Sequence, residues 1–209
     1  MGNDRQPQEE PPDEVLVQVP GLSIRKRGIA HALVPYEGRV RSNGSEIFDW
    51  IDPRERPDRI DTIPEARDWP GMQALLRVAN LPGAGFITTG CDSGSYVTKD
   101  ENGAEVHVAG GYVMFTFESQ EQNADAESLV GLAQSIRARL RPPAEYVRGR
   151  FVFNIEPYKS FFGSEGCFGL SIDAEGNGET AASAGENFNT AAQIVADSLN
   201  ECIVGRARE

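Results

Sequence analysis

One stretch, Gly111 to Pro157, reads strand, helix, strand, and it limits what the rest of the chain can build. Tyr112 to Phe117 (YVMFTF) is rich in aromatic and β-branched residues, which suit a pleated, half-buried surface. Side chains alternate along a strand, so Val113, Phe115 and Phe117 share one face, and Tyr112, Met114 and Thr116 share the other. The period then changes. Leu129, Leu132, Ala133, Ile136 and Leu140 recur at spacings of three and four, which predicts a helix from Asp125 to Leu140. Asn123 or Asp125 supplies its N-cap, and Arg137, Arg139 and Arg141 sit at the negative end of its dipole. Pro142-Pro143 stops it. In the next strand Val147, Phe151, Phe153 and Ile155 lie on one face, with Arg148, Arg150, Asn154 and Glu156 on the other and Val152 the exception. A sheet with one dry face and one wet or occupied face follows, and the helix is expected on the dry face.

The flanking sequence sorts around this core. Residues 1–14 are Pro, Gln and acid with almost nothing to bury and are expected to be a disordered tail. Residues 15–70 read as short N-terminal strands and a Pro-punctuated extended segment docking on a core domain of residues 71–209. In that domain Asp68 is the expected N-cap of a short helix carrying Met72, Leu75, Leu76 and Ala79. Strands are expected at Gly85–Thr89, and at Tyr96–Lys99 and Ala104–Val108 on either side of the hairpin signal Asn102-Gly103. Gly110-Gly111 suggests a bulge. Phe168, Leu170 and Ile172 mark another strand, Asp173 to Gly185 a polar loop, and Phe188, Ala191, Ala192, Val195, Leu199, Cys202 and Ile203 the stripe of a final helix. This order predicts an α+β fold: an antiparallel sheet with helices packed on one face. The αββαββ order resembles a circularly permuted ferredoxin-like plait with an added hairpin and C-terminal helix. That resemblance is one of architecture and implies no activity.

Charge narrows the partners. The formal net charge is −12, which disfavours nucleic-acid binding by phosphate neutralisation. It favours either simple solubility or an acidic face for a basic partner. No window approaches the ~20 apolar residues of a membrane helix, and the acidic N-terminus is unlike a secretory signal. Cys91, Cys167 and Cys202 are odd in number with no paired spacing, so reduced thiols in a cytoplasm are expected. Arg outnumbers Lys heavily, a bias associated with GC-rich bacterial coding.

Candidate chemistry is sparse. Cys91, in a run of small residues, is a nucleophile candidate with His107 as its base, but no third group or signature supports the pair. A small buried residue is the plainer reading of Cys91. Asp173 to Glu179 resembles half of a calcium loop, yet Ala184 stands where a bidentate Glu is needed. Scattered Cys and His give no zinc spacing, and no Gly-rich phosphate loop occurs, so neither metal nor cofactor is expected. Arg148, Arg150 and Asn154 on the wet sheet face are candidates for an anionic ligand. Trp50, Ile60 and Trp69 are candidate anchors for a partner. The expected function is a non-catalytic protein-binding or regulatory module: an inhibitor, an immunity-type protein or an accessory subunit of a bacterial complex. A protein partner is expected, and a homo-oligomer is compatible with the sequence. The alternatives are a small hydrolase or transferase using Cys91 and His107, or anionic-ligand binding at Arg148 and Arg150.

Overall fold

The computed structural model describes residues 12–30, 32–40, 44, 46–140 and 149–206. In chain order these form β1 (Glu14–Val19), β2 (Leu22–Lys26), β3 (Ala32–Val34), β4 (Arg39–Val40), β5 (Glu46–Ile47), a 3-10 turn (Pro57–Thr62), α1 (Pro70–Ala79), β6 (Phe86–Lys99), β7 (Glu105–Phe117), α2 (Gln120–Asn123), α3 (Ala126–Arg139), β8 (Gly149–Phe161), β9 (Phe168–Gly178) and α4 (Ala181–Arg206). The expected disordered tail falls almost wholly on residues outside this set, as do Pro142-Pro143 and Arg148.

The chain is α+β, built on a seven-stranded mixed sheet of order β1-β2-β8-β9-β7-β6, with β3 added beside β8. One expectation is corrected here. The sheet is not purely antiparallel, because β2 runs parallel to β8, with Leu22 opposite Phe151 and Ile24 opposite Phe153. The permuted ferredoxin-like order is not confirmed for the whole sheet: β8, β9, β7 and β6 pair only antiparallel, but the sheet does not end at β8, where β2 and β3 add in parallel. Local patterning sets which face of each strand is dry. It carries no information on which strand of residues 15–34 will cover the β8 edge.

The dry face forms as the alternation requires. Val113, Phe115 and Phe117 are buried, and so are Phe151, Phe153 and Ile155. They join Leu75, Leu129, Ile136, Phe188, Val195 and Leu199 in one core, which places α1, α3 and α4 on this side. Asp125 caps α3 by accepting a hydrogen bond from the Glu127 amide at 3.1 Å. The N-cap of α1 is Trp69 rather than Asp68. Pro70 occupies the first helical position, where its fixed φ suits the helix and its missing amide costs nothing.

The largest departure from the sequence pattern is β9, which continues through Asp173 to Gly178 where a polar loop was expected. Its inward positions there are Ala174, Gly176 and Gly178, small rather than apolar, so no hydrophobic alternation marks them. They are small because α4 lies directly on the strand. A Cβ on Gly176 would fall 2.1 Å from the Phe188 amide nitrogen. The calcium-loop reading of this stretch ends with that strand, since an extended backbone cannot wrap oxygens round one ion. Gly110-Gly111 makes no bulge either. The β6–β7 register shifts instead between Thr88 and Gly90, and Gly111 lets the Asp92 carbonyl approach to 2.4 Å from where its Cβ would stand.

Candidate functional site: an arm-covered cavity on the open sheet face

The second face of the sheet is only partly covered. Its residues line up in cross-strand rows, because directly opposed residues point the same way. One row runs Asp92, Tyr112, Asp173, Val152. The next runs Gly90, Met114, Ser171, Asn154 and ends opposite Arg25 of β2. At one end of this face the described residues of the segment 32–65 fold over as an arm. Val34, Ile87, Met114, Tyr158, Phe161 and Cys167 make a second, smaller core there, with Trp50 and Tyr112 against it.

Side-chain bonds explain why so charged an arm stays in place. The Trp50 indole donates to the Thr88 carbonyl at 3.1 Å and stacks edge-on against Phe162. Arg54 bridges Asp52 on the arm and Glu118 just past β7. The Ser93 hydroxyl donates to the Glu65 carbonyl. Below the arm, the Tyr158 and Thr89 hydroxyls share a 2.7 Å hydrogen bond.

Between arm and sheet lies a cavity of about 900 Å³, continuous in its lining residues with one of about 280 Å³ at the β6 edge. Tyr36 and Phe48 of the arm face Tyr112 and Met114 of β7, with Glu65, Asp92 and Glu37 supplying carboxylates. The electrostatics follow from that composition. Burial, with Glu65 and Asp92 nearby, pushes the Cys91 thiol up to about 12. Burial, with Cys91, Glu65 and Asp92 adding to it, also lifts the Tyr36 phenol to about 12. Tyr112 is raised by burial and by Asp92. Deeper along the open face, Glu156 is carried to about 7 by burial and by Asp173. Asp173 is raised by burial despite hydrogen bonds from Ser171 at 2.7 Å and Asn154 at 2.9 Å. Each shift reflects scarce water and nearby negative charge.

The residues singled out from sequence are dispersed. Cys91 lies opposite Val113, whereas His107 lies opposite Val97, six positions along β6. That puts them roughly 20 Å apart at the rise of an extended strand. Among the described residues no imidazole stands near Cys91, and burial holds its thiol protonated at neutral pH; the other histidine, His31, lies outside the described residues. Arg150 is exposed, and Glu175 holds it at 2.6 and 2.8 Å. Asn154 is buried, its amide donating to Asp173. Ile60 is 1% exposed and belongs to the main core. Trp69, at the N-cap of α1, packs edge-on against Phe188 of α4, and Trp50 pins the arm, so all three candidate anchors make contacts within the chain itself.

Tyr36, Glu65, Asp92 and Tyr112 were not singled out from sequence. Tyr112 was legible as a wet-face residue, but nothing local pairs it with Tyr36, 76 positions earlier. Among the described residues no group of His, Cys, Asp and Glu is arranged to hold a metal, and no helix is long and apolar enough to cross a membrane. The chain matches no family model, no curated protein and no solved structure.

Proposed function

We propose that the protein is a non-catalytic binding module whose working surface is the arm-covered cavity, and that it receives a basic side chain presented by a partner protein. The observation that carries this is the cavity's composition: Tyr36 and Glu65 of the Trp-pinned arm on one side, Tyr112 and Asp92 of the sheet on the other. Aromatic rings and carboxylates around one space suit a guanidinium or ammonium group, through ion pairing and cation–π attraction. The net charge of −12 steers such partners toward the molecule. An inhibitor, an immunity-type protein or an accessory subunit in a reducing cytoplasm is the role this surface suits.

The catalytic alternative lacks a base for Cys91 among the described residues, and the anionic-ligand alternative must compete with Glu175 for Arg150. The test is titration with an oligo-arginine peptide against an oligo-glutamate peptide, followed by Trp fluorescence and calorimetry. The arginine peptide is expected to bind and to weaken as salt rises. Asp92→Asn is expected to weaken it about three- to tenfold, the size of one partly desolvated charge contact. Binding of the glutamate peptide instead, or an arginine affinity untouched by Asp92→Asn and Glu65→Gln, overturns the reading.

A further inference from the structure

We infer that β6 pairs with β6 of a second copy of this chain, antiparallel over residues 95–99, about a two-fold axis at Val97. This rests on the sheet edge, independently of the cavity. The sheet ends in β1 on one side and β6 on the other. An open edge offers a row of backbone donors and acceptors, and folds that remain monomers blunt it with charge, proline or a bulge. β1 is blunted: it begins at Glu14, its register shifts between Val15 and Val17, and Pro20 follows it. The first half of β6 is covered by the arm, through the bonds of Trp50 to Thr88 and of Ser93 to Glu65.

Beyond Ser93 the β6 edge is bare among the described residues. Gly94 to Thr98 carries no charge, no proline and no register shift against β7. Tyr96 is 54% exposed and Val97 is 53% exposed, and they point to opposite faces of the hairpin. Aromatic and β-branched residues in that setting stabilise cross-strand pairs.

Geometry chooses the register. In a continuous sheet the two-fold axis is perpendicular to it, so opposed residues share a face and the axis passes through a residue. An axis at Tyr96 would draw the already covered Ser93 into the pairing and set Asp92 against Asp100 of the other copy. An axis at Val97 keeps the pairing on the bare edge. Val97 then meets its own copy, Tyr96 meets Thr98, and Lys99 meets Ser95, with no like charges opposed. The overlap is short, about 17 Å, so the dimer is weak and depends on concentration. Two chains of charge −12 repel, so added salt strengthens it. Both open faces, and both cavities, then lie on the same side.

Sedimentation equilibrium of the full chain tests this at low and high salt. A dimer is expected that grows with concentration and with salt. Val97→Lys, which sets two ammonium groups against each other, is expected to be monomeric while keeping the wild-type circular dichroism. Val97→Cys is expected to cross-link to itself on mild oxidation, because residues on the axis have Cβ atoms about 5 Å apart. Ser95→Cys, opposite Lys99, is expected not to. A wild-type chain that stays monomeric throughout overturns the proposal. So does a dimer that survives Val97→Lys, or equal cross-linking by the two cysteine variants.

Discussion

Replacing Gly176 by alanine tests how tightly the longest helix is laid on the sheet. The added Cβ would stand 2.1 Å from the Phe188 nitrogen, 2.6 Å from the Asn187 carbonyl carbon and 2.7 Å from the Ala184 oxygen. All three are backbone atoms of α4, so no side chain can rotate away. Ordinary contact begins near 3.4 Å, and the helix must therefore retreat by about 1 Å or the strand must bend. Either motion opens the layer that buries Phe188, Ala192 and Val195. Overpacking of this kind costs about 1–3 kcal/mol, and rigid neighbours place the site at the upper end. With a urea slope of about 2–3 kcal/mol/M, the unfolding midpoint falls by about 1 M. The transition is read by Trp fluorescence, because Trp69 rests on Phe188 with ring centroids 5.0 Å apart. Gly131→Ala is the control. It lies on the exposed side of α3 with nothing within 4 Å of its Cβ, so alanine there is expected to raise the midpoint slightly. If Gly176→Ala leaves the midpoint unchanged within a few tenths molar, α4 does not sit where its contacts with β9 put it.

Other consequences follow from the site. Glu156 is carried from 4.5 to about 7 on folding, so the folded chain binds its proton more tightly than the unfolded chain. Stability therefore falls as pH rises through the window between those values, by up to about 3 kcal/mol for this group. Glu156→Gln is expected to flatten that slope and to raise the urea midpoint more at pH 8 than at pH 5; an equal gain at both would show that Glu156 is not desolvated. Cys91, with its thiol at about 12, is expected to be alkylated by iodoacetamide at neutral pH far more slowly than in the urea-unfolded chain. Peptide mapping by mass spectrometry reads this, and fast native alkylation would restore Cys91 as a nucleophile. Arg54→Met removes the tie between Asp52 and Glu118 and leaves the half-buried Asp52 carboxylate without its main partner. Cleavage within residues 48–65 by a limiting protease should quicken while the core domain stays intact, and an unchanged digestion pattern would mean that Trp50 and Ile60 hold the arm unaided.

The elements that local chemistry governs were legible in the sequence. The 3.6-residue spacing and the Asp125 cap defined α3, the two-residue alternation oriented β7 and β8, and Asn102-Gly103 marked the turn of the long hairpin. These signals come from neighbours a few positions apart, and they report which side of an element must be dry. They do not report what makes it dry. The parallel seating of β2 on β8 joins residues about 130 positions apart, and no periodicity within either segment encodes that choice. The same holds for the cavity, where Tyr36 meets Gly90 and Tyr112 only because the arm crosses the sheet. The second half of β9, Asp173 to Gly178, escaped recognition for the opposite reason: its inward residues are small so that a helix can touch the backbone, and closeness of that kind exists only once both elements are in place.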